Sequence, residues 1–194
     1  MADGDCGGTG LLKAQDTAVE LYQLAALMLG SENEALSLVE ETVLQAEVDP
    51  CAQQDEAVDA TRHQLIEAAV TRMKQVNPQA FIAPAAASGN SSCIGEDEDL
   101  AAAGISPQQL AELVSGAGRA EMRVWLEQLP PAQRAIFVQR AVLAWDNGTT
   151  AATLRNAVGE RSNWGADQVS DVFRQALCSL ATSLVQSAAL KANV

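Results

Sequence analysis

His63 is the single histidine of the chain, and Cys6, Cys51, Cys93 and Cys178 are its four cysteines. Zinc is usually held by such side chains in close pairs, of the Cys-x-x-Cys kind, and none of these residues stands that near another. No metal site is therefore expected. A disulfide framework is not expected either in 194 residues with so few cysteines, so the thiols are read as reduced. Glu40 and Glu41 are adjacent carboxylates, but neighbours on a helix point in different directions and do not share a proton. There is no phosphate loop, Gly-x-Gly-x-x-Gly turn or serine-centred elbow. The chain is expected to be no enzyme and to need no cofactor. What remains is recognition chemistry: indoles that stack and guanidiniums that pair with phosphate. Trp125 and Trp145 lie among apolar residues and are expected in the core, whereas Trp164, in a polar turn, suits contact and packing equally.

The elements that must position these groups are helices. Leu11 to Leu29 places Leu21, Leu24, Ala25 and Met28 on one face, and Met1 to Gly10, rich in glycine, is expected to be disordered. Ser31 and Glu34 form a Ser-x-x-Glu capping box for a second helix to about Glu47, with Leu36, Val39, Val43 and Ala46 inside. Gln54 to Val76 repeats apolar residues from Val58 to Val76, and Pro78 stops it. Residues 79–105, with Ser88 to Ser92 and the acidic run Glu96 to Asp99, read as a solvated linker. Ser106 caps a helix to Val114, and Arg119 to Leu129 precedes a helix from Ala132 to Trp145. Thr150 is placed to cap Ala151 to Val158, which Gly159 closes. After a turn, Ala166 to Val185 keeps Val169, Val172, Phe173, Leu177, Leu180 and Leu184 on one face.

Short helix, turn and amphipathic helix is the outline of a helix-turn-helix. The predicted fold is all-α: two small helical modules, 11–78 and 106–194, joined by a polar linker, the second helix-turn-helix-like. Aromatics are only 4% of the chain, so its core must come from Ala, Leu and Val, which favours packed helices over a sheet. The net charge of −13 is uneven. Residues 1–119 carry 19 acidic against 5 basic side chains, while residues 120–194 carry 6 against 7. The first part is repelled by DNA and by anionic membranes, and the second is permissive for DNA without being steered to it. A basic start and a long apolar run are both lacking, so the protein is expected in the cytoplasm with no membrane partner.

Two stretches carry a family resemblance. Leu129-Pro130-Pro131-Ala132-Gln133-Arg134 matches the Leu-Pro-x-x-x-Arg segment that opens region 4 of the extracytoplasmic-function sigma factors. Val169 to Leu180 falls on that family's recognition helix, and Leu154 to Gly159 on the helix before it. Leu21 to Glu47 is similar to region 2, through Leu29-Gly30 and Val39-Glu40-Glu41-Thr42-Val43. The resemblance implies two partners: core RNA polymerase at region 2, through Glu34, Glu40 and Glu41, and promoter DNA at region 4. It places DNA contacts at Ser170, Arg174 and Gln175, with Arg161 and Asn163 in the preceding turn reaching phosphate. The chain departs from the family where the chemistry is. The family's basic positions on the last helix become Ser170, Val172 and Gln175, and Asp167 and Asp171 stand beside Arg174. Residues 49–75, where the family holds unpaired bases on aromatics, contain none. Two functions follow as alternatives: a transcription initiation factor, or a sigma-like scaffold that no longer reads DNA and works only through protein contacts, as a dimer or with a regulatory protein.

Overall fold

Leu21, Leu24, Ala25 and Met28 form the buried stripe of a first helix, α1 (Gly8–Leu29). The computed structural model describes residues 8–45, 54–84, 104–159 and 162–192. Every element among them is helical, as an Ala- and Leu-rich composition dictates. Residues 8–10, expected in a disordered N-terminus, begin α1, and residues 1–7 of that expected segment lie outside the described residues. Gly30 reverses the chain with φ +77°, where a β-carbon would also stand 3.2 Å from the Glu127 side chain. Ser31 then accepts the Glu34 amide at 3.4 Å and opens α2 (Glu32–Gln45). α3 (Gln54–Val76) follows, with Leu65, Ile66, Ala69, Val70 and Met73 buried against α1 and α2.

Residues 79–84 are not a free linker. Asn77 caps a 3-10 turn (Pro78–Phe81), and Phe81 is fully buried. Its carbonyl accepts the Trp164 indole N–H at 2.8 Å, and the Ala83 amide donates to the Ser162 carbonyl at 3.1 Å. At the far end Ile105 is buried as well. The physical reason is apolar: two large side chains inside the polar stretch have a core within reach. Residues 85–103 lie outside the described residues.

Ser106 and Gln109 complete a reciprocal capping box at the start of α4 (Pro107–Ser115), and α5 (Arg119–Gln128) follows. The single helix expected from Ala132 to Trp145 is shorter and uneven. α6 (Pro131–Phe137) widens into a π-helical turn (Val138–Val142), and the chain leaves helix at Ala144 with φ +55°. The wide turn puts Gln139 wholly inside, its amide donating to the Ala135 carbonyl at 3.2 Å. α7 (Asn147–Val158) begins earlier than expected because Asp146, rather than Thr150, is its cap. The Asp146 carboxylate accepts the Thr149 amide at 2.6 Å, while Thr150 is buried in the first turn. Gly159, at φ +98°, closes α7, and α8 (Ala166–Ala192) completes the chain.

The two halves share one core. A continuous cluster runs from Leu21 through Leu65 and Val70 to Phe137, Leu154 and Leu177. α3 lies along α7 and also meets α6. Trp125 packs edge-on to Phe137 with centroids 4.9 Å apart, and the Trp145 indole stacks at 4.0 Å on the His63 imidazole of α3. Trp164, equally suited by sequence to a surface contact, is buried. Polar ties cross the same seam. Arg123 pairs with Glu32 at 2.9 Å, Asn156 donates to Glu67 at 2.9 Å, and Lys74 Nζ donates to the last carbonyl of α7, Val158, at 2.8 Å. A cation at a helix C-terminus is favoured by the backbone dipole. Cys178 departs from the expected free thiols, since it is disulfide-bonded; Cys6, Cys51 and Cys93 lie outside the described residues.

Two measurements test this packing. Phe81→Ala empties a buried site and is expected to cost about 3–5 kcal/mol in urea unfolding, whereas the exposed neighbour change Ile82→Ala stays within about 0.5 kcal/mol. Asp146 has its carboxyl pKa lowered, first by the Thr149 backbone N–H. Its stabilisation is present above the unfolded carboxyl pKa and lost as pH falls through the lower folded value. Asp146→Asn keeps the cap without the charge, so its melting temperature should fall less than the parent's between pH 7 and the acid range.

Candidate interaction surfaces

α8 carries the residues that the resemblance assigns to DNA. Val169, Val172, Phe173, Ala176, Leu177 and Leu180 are buried, so its apolar stripe is committed to the core, where α8 meets α6 and α7. The outward side presents Asp167, Gln175 and Thr182, all exposed, with Ser170 and Arg174 half-buried on its shoulders. Ser170, Arg174 and Gln175 therefore occupy one helix, and Asn163, exposed at φ +55°, stands in the turn ahead. Arg161 lies outside the described residues.

The electrostatics of this side are unfavourable to phosphate. The Arg174 side chain is only 12% exposed and is held by the Asp171 carboxylate one turn before it. Its Nε is buried without a partner. A guanidinium neutralised by its own helix contributes little to counterion release, the main source of non-specific DNA affinity. Arg155 is also occupied, donating to the Trp164 carbonyl at 2.6 Å. Arg140 donates to the Trp145 carbonyl and lies 5.1 Å over the Phe173 ring. In the described part of the turn, residues 162–165, Ser162 and Trp164 are buried and Asn163 is exposed.

α2 presents a different surface. Ala35, Leu38, Val39 and Thr42 face the core, and Leu36 and Val43, expected inside, are half in solvent instead. Leu36 (51% exposed), Val43 (49%) and Leu44 (86%) line up with Glu40 at steps of four, three and one, which makes one outward stripe. The sequence did hold a signal for it. Positions 35, 38, 39 and 42 already complete a buried face, so a second apolar row could only point outward.

Glu34, Glu40 and Glu41 are exposed around that stripe. Glu34 and Glu32 sit in the first turn of α2, where carboxylates complement the helix dipole. Glu41 is held below the usual carboxyl range, first by its hydrogen bond from Arg72 at 2.5 Å and then by that guanidinium's charge. The structure thus gathers the three acids assigned to a polymerase contact on one helix, beside apolar residues the assignment had left out. No helix among the described residues is long and apolar enough to cross a membrane.

The chain matches no protein-family model, no curated protein and no solved structure.

The pairing on α8 can be read out directly. Asp171→Asn releases Arg174 and should raise binding to a short DNA duplex at low salt, with a steeper salt dependence. Arg174→Gln leaves the Asp171 carboxylate unpaired and should lower that binding, whereas Asp171→Asn combined with Arg174→Gln should leave the parent's binding unchanged, because the pair is already neutral. Filter binding over a salt series checks all three, and a loss of affinity in the double variant would place that guanidinium on DNA.

Proposed function

We propose that this chain is a sigma-like regulatory protein that docks on core RNA polymerase through α2, in the cytoplasm, and does not read promoter DNA with α8. The observation that carries this reading is the contrast between the two helices. α2 keeps an exposed apolar row, Leu36, Val43 and Leu44, with Glu40 within it and Glu34 and Glu41 on the flank toward α3. α8 turns its apolar row inward and pairs its guanidinium with its own aspartate. Interfaces between proteins combine an apolar centre with a polar rim, whereas DNA surfaces need free cations. The negative balance of residues 1–119 adds to the second half of that contrast, since it steers toward basic protein surfaces and away from nucleic acid.

Co-sedimentation of the full chain with core RNA polymerase, with and without promoter-bearing DNA, tests it. The parent is expected to bind polymerase without starting transcripts. Leu36→Asp combined with Leu44→Asp, both at exposed positions, should weaken that binding by roughly tenfold or more with little change in melting temperature. Undiminished binding in the double variant would remove α2 from the contact. DNA-dependent initiation by the parent would restore the initiation-factor reading, and no binding to polymerase at moderate salt would end both.

A further inference from the structure

A cavity of about 470 Å³ opens at the seam between the two halves, where the end of α3 meets the start of α6. Leu29, Met73, Val76 and Pro131 supply its apolar wall. Arg72, Arg134 and Glu34 supply its charges, two cations against one carboxylate. Such a volume lies in the range of small-molecule sites, which pair apolar walls with a few convergent polar groups.

Arg134 is the unusual member. Its two terminal nitrogens donate to backbone carbonyls, Met28 at 3.2 Å and Glu127 at 3.1 Å. Its Nε is buried without a partner. Arg62, Arg72 and Arg123 each have a carboxylate within 3 Å; Arg134 has carbonyls alone among these contacts. Burial pushes its pKa down, against a smaller opposing effect from Glu127. Arginine does not give up its proton in proteins, so the half-buried guanidinium stays charged, with carbonyls and the Glu127 charge as its partners, and an anion in the cavity would add to them. Arg72 stands nearby but is already bound to Glu41 and to the Glu34 carbonyl. Glu34 is exposed, so its carboxylate stays solvated and opposes an anion only weakly.

We propose that this cavity binds a small carboxylate carrying an apolar chain, with the carboxylate against Arg134 and the chain along Leu29, Met73, Val76 and Pro131. The wall accounts for the chain and the half-buried guanidinium for the anion. A bare oxyanion would satisfy only the second feature, so inorganic phosphate should bind more weakly than an amphiphile. The site does not depend on the polymerase reading, and its test contains no polymerase, so the two can fail separately.

Titration calorimetry of the full chain with octanoate, 1-octanol and inorganic phosphate decides it. Octanoate is expected to bind saturably, and octanol and phosphate each more weakly. Val76 is 87% exposed, so changes there leave the fold intact. Val76→Glu and Val76→Gln both take an apolar contact from the wall, and only the first adds a like charge at the mouth, so octanoate should bind Val76→Glu roughly fivefold or more weaker than Val76→Gln. Equal melting temperatures of the two variants would show that charge, and not folding, accounts for the difference. Absence of saturable octanoate binding, octanol binding as tightly as octanoate, or equal affinity in the two variants would overturn the site. Phosphate binding as tightly as octanoate would overturn the role given to the apolar wall.

Discussion

The seam between α3 and α7 is where the chain's shortage of large apolar side chains is resolved. Only 4% of the residues are aromatic, and each half on its own is of a size at which burial is marginal. The structure answers by using most of the large rings at or near the junction. Phe81 enters from the end of the N-terminal half beneath Trp164, Trp145 stacks on His63, and Phe137 packs between Trp125 and Phe173. Alanines such as Ala69, Ala135 and Ala151 let the helices come close around these few rings. Remove that junction and both the turn before α8 and the end of α3 lose the partners that hold them.

The seam also governs what the cations do. Lys74, Arg123 and Arg134 reach across it to carbonyls or carboxylates of the other half. Arg155 and Arg140 fasten the approaches to α8 and α7 from within. In a chain with a net charge of −13, basic groups used in this way are not offered to a polyanion. The cations are neutralised within the fold, and the acids in excess of them remain on the surface.

That self-neutralisation separates the two helices a sigma factor would use for its two partners. α2 has an inner row sufficient for the core and a spare outer row, and its acids are exposed, with Glu41 and Glu32 paired to Arg72 and Arg123. α8 gives its main apolar row to the core, and among its described side chains the outer side carries Asp167, Gln175, Thr182 and the exposed Val185. The difference follows from how many apolar residues each helix carries beyond what packing requires. It is independent of whether the chain descends from any particular family.

Much of the helical content was legible in the sequence because local signals decide it. Ser106 with Gln109, Ser31 with Glu34, Gly159 and Pro78 mark helix ends through backbone groups within a few residues, and the observed ends agree with them. The rows on α1, α3 and α8 were legible because a period of 3.6 residues can point them only one way, although Val76, at the end of the α3 row, is 87% exposed. Thr150 suits the cap of α7 by sequence because Asn147 and Gly148 are weak helix formers, yet α7 tolerates both in its first turn and Asp146 is the cap. The halves' common core and the burial of Phe81, Ile105 and Trp164 depend on which surfaces meet, whereas the Asp171–Arg174 pair is a local contact of α8. The sequence by itself determined which segments are helical and which row of each could be buried. Only the tertiary structure decided what those rows are buried against, and hence which apolar and charged groups remain for a partner, because burial belongs to pairs of surfaces and no single segment encodes its opposite.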